Sequence, residues 1–264
     1  MTKPTPPKAK NAKKSTTTMP SYYLYFGSKM KQNVQKFSNF FKVEGGVRIT
    51  WPMMDCPCEF LRGRTCVYPS TEHAYQALKT LNLYSAKQFE VGGLFSSFDI
   101  FEKWPTDKLI NKLKRLELKN DGSAMCTSIP YDDVQNIKPK KEKVWGNGSL
   151  IGIIAKLAAG LPSALLFHMW GVRLLKKTRI SLDVWPAILQ AKYRPGTPLA
   201  HELLKTGGDH LVEFDKTTYT KFPKKSFYGA KWVEAEKKMM GDNEMGKLLM
   251  ECRRWLICQP ATTS

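Results

Sequence analysis

The chain has 264 residues, 42% of them apolar, which suffices for one substantial core and excludes disorder throughout. Its 42 Lys and Arg against 23 Asp and Glu leave a formal charge of +19, so polyanions are the expected partners, nucleic acid first, then nucleotide phosphates or anionic membrane. Six cysteines in a chain of this size, with no apolar leader at the N-terminus, point to free thiols and an intracellular protein (cytoplasm or nucleus), not a disulfide framework.

Residues 1–20 carry five Lys, four Pro and no acid, a composition that cannot bury enough surface to fold, and are expected to form a disordered basic tail. Either a solubilising arm or a nucleic-acid-binding or nuclear-targeting arm fits them. A domain is expected over 21–258, with 259–264 as a flexible end.

Along that domain, "SYYLYFG" alternates aromatic and small residues up to Gly27 and predicts a short strand. "FSNFFKVEGGVRITWPMM" predicts a hairpin turning at Gly45-Gly46. The stretch "CPCEFLRGRTC" follows, in which Cys56, Cys58 and Cys66 cluster with His73 as the one nearby fourth ligand. C-x-C is not the C-x2-C spacing of structural zinc sites, and no metal site or cofactor is predicted. Helical periodicity begins at Ser70 and predicts helices over 70–84, near 86–92, and from Pro105 to about Asn120, the last basic. "NIKPKKEK" reads as a solvated loop.

The apolar run from Leu150 to Val172 is interrupted by Lys156, Gly160 and Pro162 and predicts two buried helices, not a membrane span. "SLDVWPAILQAKY" and "GTPLAHELLKTGG" predict two more helices, the second stopped by its paired glycines. "HLVEFD" predicts a strand, "TTYTKFPKKSFYGAKW" an irregular loop or hairpin, and "DNEMGKLLMECRRWLIC" a final helix. The expected fold is α+β: a mainly helical single domain with a small β-sheet.

Chemistry concentrates in "YPSTEHAYQALK", Tyr68 to Lys79. With Ser70 or Thr71 as N-cap, Glu72, Gln76 and Lys79 fall on one helical arc, and Ala74, Ala77, Leu78 and Leu81 on the opposite one. On periodicity alone the polar arc is a solvated face. Against this, Tyr68, His73 and Tyr75 flank it at a strand-to-helix junction, where sites are often built. In the final helix, Met245, Leu248, Leu249, Cys252, Trp255 and Leu256 form an apolar face. Gly246, Met250 and Arg253 form a separate strip in which the glycine implies close approach by a neighbouring element or a ligand. Asp242 and Glu244 at its start disfavour a phosphate there, and sugar hydroxyls suit Asp242 and Asn243 better. Walker A, G-x-S-x-G and H-E-x-x-H signatures are missing.

Taken in order, "FSNF" (Phe37 to Phe40), "YPSTEHAYQALK", "LKTGGDHLVE" (Leu204 to Glu213) and "NEMGKLLMECR" (Asn243 to Arg253) resemble the NADAR-domain family, named for NAD and ADP-ribose, over about residues 22–258. The resemblance implies an N-glycosidase, a hydrolase that removes ADP-ribose from modified guanine bases in nucleic acid or nucleosides. Its alternatives are N-glycosidase action on a ribosylated riboflavin-pathway-type metabolite and a catalytically inactive ADP-ribose-binding module; a purely architectural nucleic-acid binder leaves the pocket motifs unexplained. It implies a pocket lined by Asn39, Glu72, Gln76, Lys79, Asn243, Gly246 and Arg253. Within it, Glu72 is the expected carboxylate beside the anomeric carbon, and Lys79 the expected amine for a Schiff-base route. Asn39, Gln76 and Asn243 are expected to hold ribose hydroxyls, Arg253 to meet diphosphate or orient Glu72, and Tyr228 or Trp232 to stack on the base. Three departures stand out: a longer stretch between "FSNF" and "YPSTEH", extra sequence over 120–180, and Lys225-Ser226 ahead of Tyr228-Gly229, where the family commonly shows an acid before Trp-Gly.

Overall fold

Residues 23–27, 32–105, 110–111, 150–175, 180–214, 227–233 and 238–260 are described by a computed structural model. The expected basic tail, most of the basic helix after Pro105, the "NIKPKKEK" loop, Lys225-Ser226 and the last four residues lie outside them.

The expected first strand forms as β1 (Tyr23–Phe26), and a single turn, α1 (Gln32–Gln35), follows it. β2 (Val47–Thr50) buries Val47 and Ile49 and turns Arg48 and Thr50 outward, the period-two pattern of a half-buried strand. Its antiparallel partner is β3 (Thr65–Tyr68), so the expected hairpin about Gly45-Gly46 is corrected. Both glycines do adopt left-handed φ, 70° and 78°, but they lead the chain into β2 and the cysteine-containing stretch forms the tip of the real hairpin. Register is held where Trp51 Nε1 donates to the Tyr68 hydroxyl (3.1 Å) inside the core.

Helix α2 (Thr71–Ala77) starts at Ser70, whose hydroxyl accepts from the His73 amide as N-cap. The expected continuous helix to residue 84 is broken: α2 ends at Leu78, and a turn leads to α3 (Leu83–Lys87), which has its own cap at Asn82. In that turn Leu81 lies exposed instead of joining the apolar arc, because its amide is bonded to the Arg173 carbonyl at the surface. α4 (Gly152–Ala159) and α5 (Ser163–Trp170) are the expected pair, bent by 114° at the Gly160-Leu161-Pro162 break. Among the described residues no single helix is long and apolar enough to cross a membrane.

α6 (Val184–Lys192) and α7 (Pro198–Leu204) precede β4 (His210–Glu213), which pairs in parallel with β1. β5 (Lys231–Val233) and β6 (Lys238–Met240) pair antiparallel, and α8 (Glu244–Ile257) closes the chain. The domain is mixed α+β as expected, and among the described residues its strands form three two-stranded sheets, with a single bridge from Phe214 after β4 to Ala230 before β5. α2 packs on α4 and α6, α6 on β2, and α8 on β4, α6 and α7. Trp51, Trp185, Tyr68, Tyr193, Phe26, Phe89 and Phe95 fill the core between them.

Candidate active site

α2 is buried along its whole length, so the expectation of a solvated polar face is overturned. α4 and α6 cover the arc that would otherwise face water. Its position is fixed from the chain segment before β2. The Asn39 carbonyl accepts from the Glu72 amide (3.1 Å) and the Thr71 hydroxyl (3.1 Å), and Asn39 Oδ1 also accepts from that hydroxyl (3.2 Å). Asn39 therefore contributes as a buried anchor of the helix start. Gly152 closes the junction from the other side: its amide donates to the Phe40 carbonyl (2.9 Å), and a Cβ there would sit 2.7 Å from Ser70 Oγ.

His73 is fully buried, and burial lowers its pKa to about 4, so the ring is neutral. The Phe95 carbonyl can only accept, which places the proton on Nε2 (2.8 Å) and leaves Nδ1 to accept from Ser70 Oγ (2.9 Å). Both nitrogens are engaged, so His73 is structural and unavailable to the cysteines. Cys56 Sγ donates to the Cys58 carbonyl and Cys58 Sγ to the Leu78 carbonyl, and burial pushes the Cys58 thiol up to about 12. Among the described residues no group of three or more His, Cys, Asp or Glu side chains converges to hold a metal ion.

Glu72 is 8% exposed, and burial raises its pKa, opposed by the Gln76 amide and by the charges of Lys156 and Lys79. Gln76 Nε2 donates to Glu72 Oε1 at 2.7 Å, while the buried Gln76 Oε1 has no protein partner. Lys79, half-buried just past the helix, has its pKa lowered by burial, with Glu72 acting against that shift. Its ammonium lies 4.1 Å from the centre of the Tyr75 ring, a cation–π contact. Tyr75 stacks on Trp185 at 4.9 Å, Trp185 meets Tyr228 edge-on, and the Tyr75 and Tyr228 hydroxyls are 3.3 Å apart. The Trp185 Nε1 donor is buried without a protein partner. An acid, an amide and an amine share α2 and its end with Tyr75, the first of three contacting aromatic rings. Lys79, Lys156 and Tyr228 are partly or fully exposed.

The structure thus brings together Glu72, Gln76, Lys79 and Tyr228, anchored by Asn39, while the start of α8 meets the Tyr228 stretch through backbone, the Met245 amide donating to the Tyr228 carbonyl (3.0 Å). Asn243 is in left-handed backbone (φ 53°), and its side chain is spent on β4: Oδ1 accepts from the Glu213 amide (3.1 Å) and Nδ2 donates to the Leu211 carbonyl (2.9 Å). A Cβ on Gly246 would strike that carbonyl and lie 2.5 Å from Asn243 Oδ1, so the close approach inferred for this glycine is by a strand and a side chain, not by a ligand. Arg253 donates to Thr206 Oγ1 (2.6 Å) and to the Asp209 carbonyl (3.0 Å), tying α8 to the end of α7, and it neither orients Glu72 nor offers a free fork to diphosphate. Trp232 packs on Tyr23, and its amide donates to the Tyr25 hydroxyl.

Two residues escaped the sequence reading. Trp185, one of the three contacting aromatic rings, reads in sequence as one more apolar helical position. Lys192 is buried, its ammonium donates to the Ser38 carbonyl (2.9 Å), and burial lowers its pKa to about 7. An exposed-looking lysine at the end of α6 gives no sequence signal of burial. Two surface depressions lie elsewhere, one beside Lys36, Glu202, Thr206 and Asp209, the other beside Asp55, Pro57, Ile180 and Asp183. No protein-family model matches this chain, and no curated protein or solved structure matches it either.

Proposed function

We propose that this chain is an N-glycosidase that removes ADP-ribose from modified guanine in nucleic acid or nucleosides. One observation carries the reading: a buried carboxyl of raised pKa and a half-buried amine of lowered pKa share α2 and its end with the first of three contacting aromatic rings. Cleaving a base from ribose needs a proton for the departing nitrogen and stabilisation of an oxocarbenium-like centre. A carboxyl whose pKa burial raises is suited to the first task once it carries a proton. In this scheme the Glu72 proton goes to the leaving nitrogen, the C1′–N bond breaks, water adds to C1′, and a water proton restores Glu72. Tyr228 supplies the flat surface for the base, and Lys156 and Lys79 meet the diphosphate in place of Arg253.

Lys79 supports a variant of the same scheme, in which its amine, once deprotonated, attacks C1′ and displaces the base, which leaves with a proton. The C1′–O4′ bond then opens to give a Schiff base, and water hydrolyses it to free the sugar and the amine. Borohydride reduction during turnover distinguishes the two, because only the second leaves a covalent adduct on Lys79. The deciding assay incubates the full chain with ADP-ribosylated guanosine and follows free ADP-ribose. Glu72→Gln is expected to lower release by about 10²- to 10⁴-fold; undiminished release refutes the role given to Glu72.

The position of Arg253 favours a second reading. With the buried guanidinium tied to the Thr206 hydroxyl and the Asp209 carbonyl, Arg253 is held away from the diphosphate-clamp role that the resemblance implies. A ribosylated riboflavin-pathway-type metabolite would need no such clamp. Turnover of a ribosylamine lacking diphosphate, insensitive to salt, selects that reading; tight ADP-ribose binding without product selects an inactive binding module.

A further inference from the structure

Residues 73–89 and 150–175 contain Lys79, Lys87, Lys156 and Arg173 and no Asp or Glu, although the chain has 23 acids. The fold joins these two stretches into one surface. The Lys79 carbonyl accepts from the Leu175 amide (2.7 Å), the Arg173 carbonyl accepts from the Leu81 amide (3.1 Å), and Thr80 and Leu174 form an antiparallel bridge. Tyr84 of α3 reaches across to donate its hydroxyl to the Trp170 carbonyl at the end of α5 (3.2 Å), and its ring lies against Gly171, at 3.3 Å from where a Cβ would be.

Apolar groups that would ordinarily be covered are open here. Tyr84 is 57% and Phe167 43% exposed, with Leu81 and Leu175 also exposed between them. The Arg173 guanidinium lies 4.7 Å from the centre of the Phe167 ring, a flat cation spread over an aromatic face. Lys87 and His168 are exposed on the same two helices. The 3-10 helix Phe98–Lys103, which carries Asp99 and Glu102, is capped by Trp104, whose ring contacts Trp170.

We propose that this surface of α3, α5 and residues 171–175 binds single-stranded nucleic acid, with Tyr84 and Phe167 as stacking platforms and Arg173 as a backbone contact. Exposed rings among cations, with carboxylates excluded, are what an unpaired polyanionic strand requires: every base has a face to stack, and every phosphate needs a positive neighbour. A duplex hides those faces. A membrane fits less well, because the apolar sides of α4 and α5 (Ile154, Ala155, Ala158, Leu165, Leu166) are buried in the core and leave only scattered apolar groups for lipid. Since Lys79 belongs to both the surface and the candidate site, a strand lying here would run beside Glu72. That placement rests on the proposed function, whereas the binding does not.

The test measures binding of the full-length chain to a fluorescently labelled unmodified oligo-dT, an oligo-rU, a duplex of equal length and phosphatidylserine vesicles. Tyr84→Ala and Phe167→Ala are each expected to weaken single-strand binding about tenfold, as loss of one stacked base does, with Tyr84→Trp restoring it. Arg173→Glu is expected to weaken binding and to lower the salt slope by about one or two. Thermal melts of the variants, whose side chains are exposed, check folding. Preference for duplex, no single-strand binding, or unchanged single-strand affinity in all three variants overturns the proposal, as does loss of vesicle binding alone. Release of ADP-ribose from the nucleoside is measured separately: if it fails while the variants lose the strand, the enzymatic reading falls and the surface stands.

Discussion

Helices α2 and α8 carry comparable sequences, each with a polar strip beside an apolar one, yet their polar groups end in opposite conditions. In α8, Asn243 and Arg253 spend their donors and acceptors on backbone and a threonine, and Gly246 exists to let a strand pass. In α2 the polar groups are as deeply buried but incompletely satisfied: Gln76 Oε1 has no protein partner, the Glu72 carboxyl is poorly solvated, and the adjoining Lys79 has lost part of its hydration. Unsatisfied buried polar groups cost stability and persist where something outside the chain completes them. The contrast separates a scaffold from a candidate site more sharply than residue type does.

The largest expected effect tests the α2 side. Glu72→Gln should lower ADP-ribose release by about 10²- to 10⁴-fold while the fold persists, as removal of a general acid does. Gly246→Ala tests the α8 side. With its Cβ driven into the Leu211 carbonyl and Asn243, it should lose about 3 kcal/mol in urea unfolding, and no stability change would contradict the packing described. Arg253→Met should cost about 2 kcal/mol through two charged hydrogen bonds, yet leave nucleoside turnover by the folded fraction near wild type. A collapse of turnover at full folding would move α8 into the site.

Smaller effects appear in the pH dependence of stability. Glu72 has a folded pKa above its ordinary value of 4.5, so the folded state binds more protons there, and stability falls as pH rises from about 4.5 through the folded value. Glu72→Gln should flatten that fall. His73, with a folded pKa of about 4 against 6.5, acts in the opposite sense: its contribution is present above 6.5 and is lost as pH drops towards 4. Lys192 is depressed from 10.5 to about 7, so stability rises with pH across that interval, and Lys192→Met should remove the rise.

Much of the architecture was legible in local pattern. The break at Gly160-Leu161-Pro162, the glycine stop after α7 and the cap at Ser70 are short-range steric and hydrogen-bonding facts, and each element forms where they place it. Strand pairing was not legible: β2 finds β3 beyond the cysteine stretch, and β1 finds β4 far along the chain, choices made by tertiary packing of Trp51 on Tyr68 and by the approach of α8. Burial of the polar arc was likewise hidden, because periodicity ranks a helix's faces but cannot show that α4 and α6 cover both. For Lys192 the residue type pointed to solvent, and only the contact with the Ser38 carbonyl reveals otherwise.

The junction of Asn39, Ser70 and Gly152 carries a consequence for how the protein is made. The covering wall of α2 includes α4, so a nascent chain that has not yet emerged past residue 159 leaves the Glu72 carboxyl hydrated and ordinarily acidic. Under the proposed function, the setting of this carboxyl therefore depends on segments made later, and a product truncated before Gly152 would carry the whole "YPSTEHAYQALK" segment without that covering wall.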